Sequence, residues 1–197
     1  MQGSHELGEA SDWVRRWTHL LAPDAVVLDV ACGRGRHLRW FAQRGHLVVG
    51  IDRDHSALQE LADLVTAHRA QLVCADIEQA SWPLQDGDQK RQFGAVVVTN
   101  YLWRACLPDI VDSLAPGGLL LYETFAQGNA SVGKPSRPDF LLQPGELLQA
   151  CAGLRVIAYE DGYCADPPRF VQRIAAVRPG PAGDDPVAAA PPHRYRL

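Results

Sequence analysis

Four apolar runs in the first two thirds of the chain each end in a polar residue, at almost equal intervals. The polar residues are Asp52, Asp76, Asn100 and Glu123, which lie 24, 24 and 23 residues apart. A β-strand followed by a crossover helix accounts for such an interval in a parallel sheet. The runs AVVVTN and LLLYE are apolar almost throughout, as is typical of strands that are buried on both faces. The spacing therefore predicts an α/β fold in which helices cover both faces of a mainly parallel sheet.

Hydrophobic periodicity extends this prediction along the chain. It predicts seven strands, of which the last two form a closing pair, at residues 26–31, 46–52, 71–75, 93–99, 119–123, 154–159 and 170–177. It also predicts helices at residues 9–21, 36–44, 54–69, 107–114 and 145–151. In the helix over 54–69, the inward positions are Leu58, Leu61, Leu64 and Val65. Residues 126–143 carry no periodicity, and a connection of this length is more often functional than idle.

Composition bounds the class of protein. We expect one folded domain over residues 9–177, a disordered N-terminus over 1–8 and a disordered tail, rich in Pro, Gly and Ala, over 178–197. The formal charge of −4 argues against a nucleic-acid partner, and no apolar run approaches the ~18 residues that span a bilayer. Five cysteines without a CxxC pair predict reduced thiols in a cytoplasmic protein, with neither a disulfide frame nor a metal site.

The first strand leads into a corner that contains Gly33 and Gly35. Glycines let the backbone approach a ligand closely, and the helix that follows presents free N–H groups. Ligands of open parallel sheets bind in the crevice at the carboxyl ends of the strands. There Asp52 can accept hydrogen bonds from ribose hydroxyls, Asp76 can accept one from the adenine amine, and Ile77 can cover the ring, although either acid alone also fits a helix N-cap. Together these residues predict an adenosine-containing ligand with a small group beyond the ribose.

The residues around the glycines narrow the choice of cofactor. A dinucleotide fold needs a third small residue where this chain has Leu38, and the chain has no P-loop lysine to bind ATP. The pattern Asp29-x-Ala31-x-Gly33-x-Gly35 instead resembles motif I of the class I S-adenosylmethionine-dependent methyltransferases. One departure is Ala31, which stands where that family has its first glycine.

Four later segments also resemble motifs of this superfamily, and the likeness covers about residues 20–177. They are GIDRD at 50–54, CADIE at 74–78, VVVTNY at 96–101 and LAPGGLLLYETF at 114–125. Within the superfamily, the chain looks most like small bacterial methyltransferases of the tellurite-resistance type. The resemblance implies a Rossmann-like, seven-stranded sheet of order 3-2-1-4-5-7-6, in which strand seven is antiparallel.

The same resemblance implies where the cofactor S-adenosylmethionine would bind. The residues carried over are Asp29, Ala31, Gly33 and Gly35 around the methionyl part, Asp52 at the ribose, Asp76 and Ile77 at the adenine, and Asn100 near the sulfonium. Methyl transfer from a sulfonium requires a base only if the acceptor must lose a proton. The candidates for such a base are Tyr101, His37 and Glu123, each of which also fits a purely structural role, so the catalytic residue is left open.

The acceptor is expected beside the methyl group, after the fourth strand. Candidate contacts are Tyr101, Trp103 and Arg104, to which the 126–143 loop adds Lys134, Arg137 and Phe140 as parts of a lid or acceptor wall. The two cations of that loop favour an anionic acceptor. The sequence NYLW at 100–103 is not the Asn-Pro-Pro-Tyr type that is used on the amines of nucleobases, which argues against a nucleic-acid acceptor.

The function predicted from the sequence is therefore methyl transfer from S-adenosylmethionine to an unidentified small-molecule acceptor, by a cytoplasmic enzyme. Two alternatives from other classes stay open at this point. One is a nucleotide-dependent oxidoreductase, and the other is a catalytically silent subunit that binds S-adenosylmethionine. The residues leave the oligomeric state open.

Overall fold

The computed structural model describes residues 8–180 and 195–196. Residues 1–7, which belong to the predicted disordered N-terminus, lie outside the described residues. The same holds for 181–194 and 197, which belong to the predicted tail. The regular elements extend from Asp12 to Val177.

Among the described residues, seven strands form a single sheet of order β3-β2-β1-β4-β5-β7-β6. The strands are β1 (Val27–Val30), β2 (Val48–Asp52), β3 (Ala70–Cys74), β4 (Phe93–Thr99), β5 (Leu114–Phe125), β6 (Arg155–Ala165) and β7 (Pro168–Val177). The first five run parallel, and β7 is antiparallel to both β5 and β6. This confirms the predicted order and direction of the strands. A short hairpin, Gln85–Asp86 with Gln89–Lys90, lies outside the sheet.

In the part of the chain that the structure describes, six short α-helices surround the sheet. They are α1 (Asp12–Trp17), α2 (Arg36–Ala42), α3 (His55–Gln59), α4 (Ala62–Thr66), α5 (Leu107–Asp112) and α6 (Glu146–Ala150). Short 3-10 helices of three residues each lie at Thr18–Leu20, Arg104–Cys106, Asn129–Ser131 and Pro138–Phe140. In the described residues, none of the helices has the length and hydropathy needed to cross a membrane.

The side chains of the strands alternate between two hydrophobic clusters, one on each face of the sheet. On one face, Trp13, Trp17 and Phe41 pack with their helices against β1, β2, β4 and β5. On the other face, Trp82 and Ile110 belong to the cluster that covers the same strands from the opposite side. Both faces of the central strands are thus buried, as the unbroken apolar runs predict. The ring centroids of Trp13 and Trp17 in α1 lie 5.7 Å apart, and both side chains are buried, so the two tryptophans serve in packing.

The predicted helix over 54–69 is two helices in the structure. The chain tightens between them, because the N–H of Leu61 bonds to the carbonyl of Leu58 at 3.0 Å, three residues back. Leu61 is thereby fully buried beneath the glycine corner, whereas Val65, which was expected to face inward, is 43% exposed. The break thus places one leucine under the corner instead of continuing a single apolar stripe.

The fifth strand was expected to begin at residue 119, directly after Pro116-Gly117-Gly118. In the structure β5 already begins at Leu114, which pairs with Phe93, and the register shifts within this segment before pairing resumes at Leu119 with Ala95. Gly117 has φ +78°, a conformation that favours glycine. The segment therefore forms an irregularity inside a long strand.

A buried hydroxyl links the sheet to the turn that follows β4. The Tyr122 hydroxyl donates to the carbonyl of Tyr101 at 3.0 Å, and Tyr122 is 1% exposed. Removing that hydroxyl leaves a carbonyl without its partner, so Tyr122→Phe should lower the free energy of unfolding by about 1–2 kcal/mol. Urea unfolding measures this, with Tyr163→Phe as the control because Tyr163 is 53% exposed. Equal effects of the two substitutions would contradict the assignment.

Candidate functional site

The backbone after β1 turns sharply at the carboxyl edge of the sheet. Ala31, Gly33 and Gly35 all have positive φ angles, of 55°, 52° and 76°. A side chain at Gly35 would have its Cβ 2.6 Å from Leu61 Cδ2, so the corner has no room for one there. Ala31 carries a Cβ in this left-handed conformation at a cost of about 1 kcal/mol or more. The structure thus gives the reason why the related family uses glycine at that position.

Two adjoining cavities open along this edge. The first, of about 380 Å³, extends over the ends of β2 to β5 and is lined by Asp52, Asp76, Ile77, Tyr101 and Phe140, among others. The second, of about 510 Å³, lies over the corner and is lined by Gly33, Gly35, Arg36, His37 and Thr99, among others. Ala31 and Asn100 line both. Together the cavities form one cleft, which brings together seven of the eight residues predicted to bind the cofactor.

Asp52 holds the corner in place. Its Oδ2 atom accepts a hydrogen bond from the Gly33 N–H at 2.6 Å, and its Oδ1 atom accepts one from the Asp54 N–H at 2.9 Å. Each carboxylate oxygen has a second lone pair, so the group can still accept from two further donors in the cleft.

Asp76 and Ile77 line the first cavity just after the end of β3. Asp76 Oδ1 accepts from the Glu78 N–H at 3.0 Å, which fixes the carboxylate in a turn. Its Oδ2 atom has no hydrogen-bond partner among the described residues. A free acceptor beside an apolar side chain suits the polar edge and the face of an aromatic base.

Asp29 is the predicted cofactor residue that lines neither cavity. It lies within β1 and is 1% exposed. Burial raises its pKa to about 8, and Oδ2 is without a hydrogen bond in the described part of the chain. The His37 Nδ1 atom is 3.8 Å from that oxygen. The carboxyl group therefore lies beneath the corner and not at its surface.

His37 is hydrogen-bonded to the segment that precedes α1. Its Nε2 atom accepts a hydrogen bond from the Ser11 N–H at 3.2 Å, so the ring is neutral. Burial lowers its pKa to about 3, with a further lowering from Arg36. A histidine of this pKa is a weak base at neutral pH.

Glu123 points away from the cleft, towards α1. Its carboxylate accepts from the Ser11 hydroxyl at 3.0 Å and pairs with the Arg173 Nε atom at 2.6 Å, and the residue is 1% exposed. The next residue, Thr124, lines the first cavity instead. Tyr101, the remaining candidate base, does line that cavity, but burial raises the pKa of its hydroxyl well above the usual value.

The structure places some of the predicted acceptor contacts in the first cavity and others outside it. Phe140 lines the first cavity, whereas Trp103 packs against the hydrophobic core. Arg104 supports the 126–143 loop from below, since it donates to the carbonyls of Asp139 and Leu141 and pairs with Glu146 at 2.7 Å. Arg137 is 71% exposed as a side chain and pairs with Asp139 at 2.8 Å.

Several residues of the cleft were missed in the sequence, among them Arg36 and Thr99. Arg36 lines the second cavity, where its Nη2 atom donates to the Thr99 hydroxyl at 3.3 Å. Arg36 is the first residue of α2, directly after Gly35. Its position beside the glycines was the available signal, because a cation at the mouth of a glycine corner suits an anionic group of a ligand.

Comparison with known proteins agrees with this geometry. Residues 27–118 match a sequence family described as "Methyltransferase domain". Over this segment, which is a little under half of the chain, the protein resembles a methyltransferase domain. The matched segment begins at β1 and ends within β5, so it contains the glycine corner and the strand ends that line most of the cleft.

Curated relatives of the chain include a malonyl-[acyl-carrier protein] O-methyltransferase from Salmonella typhimurium, with 33% identity over 105 residues. The match covers 53% of this chain and 41% of the relative, so the chain aligns with about two fifths of that protein.

Solved structures share the fold. TehB from Haemophilus influenzae superposes with a TM-score of 0.67 at 17% identity, covering 89% of this chain and 64% of that one. A methyltransferase from Methanosarcina mazei superposes with 0.65 at 15% identity, covering 88% and 100%. These likenesses concern the fold, which the two structures share with this chain to about the same degree.

The buried Asp29 should give the stability of the protein a distinctive pH dependence. Between its ordinary pKa of 3.8 and about 8, the folded state keeps a proton that the unfolded chain releases. The free energy of unfolding therefore falls as the pH rises through this window. From pH 6.5 to pH 8, the wild type should lose about 1–2 kcal/mol relative to Asp29→Asn, a comparison in which His37 is present in both proteins.

Urea unfolding at several pH values across this range measures the difference. The matched control is Asp86→Asn, an exposed acid of the small hairpin, which should follow the wild type. If Asp29→Asn and the wild type lose stability in parallel, the carboxyl group is ionised in the fold and the account of its burial is wrong.

Proposed function

We propose that the chain is an S-adenosylmethionine-dependent methyltransferase that acts on a small-molecule acceptor. The observation that carries the proposal is the Asp52 carboxylate, which binds the Gly33 N–H and lines the cavity that also contains Asp76. One group thus fixes the glycine corner and presents oxygens to a ribose. The family match over residues 27–118 supports the same reaction.

The donor would lie across the strand ends from β3 to β4. Asp52 would accept from the two ribose hydroxyls, and Asp76 Oδ2 from the adenine amine, with Ile77 against the ring. The corner at Ala31, Gly33 and Gly35 would hold the methionyl part, and Asn100 would lie near the sulfonium. Arg36 would pair with the donor's carboxylate, while Asp29 would support the corner from beneath.

Transfer is an in-line displacement, in which the acceptor atom forms a bond to the methyl carbon while the carbon–sulfur bond breaks. The donor is already activated, so the protein contributes alignment and exclusion of water, which can be worth about 7 kcal/mol or more. We infer that none of Tyr101, His37 and Glu123 acts as a base. The first has a raised pKa, the second a lowered one, and the third is buried against Arg173.

The oxidoreductase alternative is opposed by Leu38. This side chain is fully buried, and its Cδ1 atom lies 2.7 Å from where a Cβ on Gly50 would be. It therefore fills the space between α2 and β2, which dinucleotide folds keep narrow with a small residue. Calorimetry with S-adenosylmethionine and NAD separates the two functions, and tighter binding of NAD would overturn the proposal.

The silent-subunit alternative is tested by transfer itself. Incubation with labelled S-adenosylmethionine and a panel of thiol, amine, halide and chalcogen acceptors, with and without cell extract, should release S-adenosylhomocysteine and a labelled product. Donor binding without transfer to any acceptor under either condition would favour the silent subunit.

We further propose that the enzyme works in the cytoplasm, on an acceptor that is neither membrane-bound nor a nucleic acid. All five cysteines are unpaired, and Cys32, Cys106 and Cys151 are buried, which suits a reducing compartment. The formal charge of −4 does not favour binding to phosphate backbones.

Replacing Asp52 should weaken donor binding. Asp52→Ala removes the acceptor of the ribose hydroxyls and the support of Gly33, so the Kd for S-adenosylmethionine should rise about 30-fold, or about 2 kcal/mol. Titration calorimetry measures this, after circular dichroism has confirmed that the variant is folded. Asp86→Ala, which removes an exposed acid outside both cavities, is the matched control. An unchanged Kd for Asp52→Ala would remove this residue from the site.

A further inference from the structure

The part of the first cavity beyond β4 has a different character from the part over β2 and β3. Its walls are Tyr101 and Leu102 after β4, Thr124 and Phe125 at the end of β5, and Pro135 and Phe140 from the 126–143 loop. Three of these six side chains are aromatic, and the others are apolar or, in Thr124, a buried hydroxyl residue. An adenosyl group over β2 and β3 would direct its methyl group towards this half.

The loop that forms one wall is held in a defined position. The Gln127 N–H bonds to the Leu142 carbonyl at 2.8 Å, which closes the base of the loop. The Asn129 side chain, which is 2% exposed, donates to the Pro135 carbonyl at 2.9 Å. Arg104 holds the carbonyls before and after Phe140. The aromatic wall is thus pre-formed, and the guanidinium of Arg104 is used in supporting it.

The other cations near the loop are not directed into the cavity. The Arg137 guanidinium lies 5.1 Å from the Phe140 ring centroid and pairs with Asp139. Lys134 is exposed and lines neither cavity. Arg53, at the adenosine end, lies 3.8 Å from Glu78. Among the described residues, the acceptor half therefore has no cation in its wall, contrary to the expectation of an anionic acceptor.

The charges of the whole cavity favour the opposite sign. Asp52, Asp76 and Glu78 line it, against the single cation Arg53. An excess of carboxylates lowers the local concentration of anions and stabilises positive charge. The wall thus suits a flat, uncharged molecule that becomes positive during the reaction.

We propose that the acceptor is an uncharged planar nitrogen heterocycle, which is methylated on a ring nitrogen. This inference rests on the proposed methyltransferase function. The ring would stack on Phe140 and Phe125, since aromatic faces favour such contacts. The nitrogen lone pair forms the new N–CH3 bond, the carbon–sulfur electron pair goes to sulfur, and the positive charge passes from sulfur to the ring.

This chemistry needs no base, in agreement with the site. A hydroxyl acceptor must lose its proton to become a strong nucleophile, and a carboxylate or thiolate brings negative charge into an acidic cavity. A ring nitrogen with a free lone pair has neither requirement. The product is a ring cation, which the carboxylates of the same cavity stabilise until it is released, or which loses an N–H proton to water if the ring has one.

The test compares two bicyclic probes of similar size, quinoline and 2-naphthoate, at neutral pH. Binding of each to the protein saturated with S-adenosylhomocysteine is measured by calorimetry or by ligand-observed NMR. Quinoline should bind at least about tenfold more tightly than 2-naphthoate, and Phe140→Ala should weaken its binding about tenfold. Val132→Ala, at a 40% exposed apolar position of the same loop, should leave it unchanged. With S-adenosylmethionine instead, mass spectrometry should detect N-methylquinolinium.

The outcomes separate this inference from the proposed function. If neither S-adenosylmethionine nor S-adenosylhomocysteine binds, the proposed function fails. If they bind but 2-naphthoate binds as tightly as quinoline, if quinoline does not bind, or if its binding is the same in Phe140→Ala, the acceptor class is wrong while the methyltransferase function stands.

Discussion

The hydrogen bond from the Gly33 N–H to the Asp52 carboxylate, at 2.6 Å, connects the end of β2 to the corner after β1. The corner needs such a support because three residues in it, including Ala31, adopt left-handed conformations. Leu61 supports the corner from below, where the interruption between α3 and α4 places it. The position of the glycines, and hence the shape of both cavities, depends on these two contacts. A residue that is expected to bind the donor therefore also holds the loop that surrounds the donor.

A second set of buried polar contacts attaches the N-terminal helix to the sheet. Ser11 bonds through its N–H to His37 and through its hydroxyl to Glu123, and it also accepts from the Trp13 N–H as the cap of α1. These groups connect α1 to the helix after the corner and to β5. His37 and Glu123 thus have structural roles, although both stand at sequence positions where catalytic groups are common. Under the proposed function, alignment of donor and acceptor then remains as the main source of catalysis.

Much of the fold could be predicted from the sequence, because regular spacing of buried strands permits few arrangements. The covered faces and the convergence of Asp52 and Asp76 on one cleft followed from this spacing, whereas the order of the strands followed from the resemblance to the methyltransferases. The direction of individual side chains did not. Successive residues of a strand point to opposite faces, so Glu123 faces α1 whereas Thr124 faces the cavity. The sequence also predicted Arg104 to lie in the acceptor wall. Its partners in the folded protein, such as Glu146, lie far away in the sequence and could not be identified from it.

A crystal structure of the protein with S-adenosylhomocysteine tests the central claim most directly. The account predicts that the ribose hydroxyls lie within about 3 Å of both Asp52 carboxylate oxygens, that the adenine amine lies at the same distance from Asp76, and that the sulfur faces the cavity half walled by Phe140. A ligand that is bound away from this cleft, or an adenosine that contacts neither carboxylate, would contradict it.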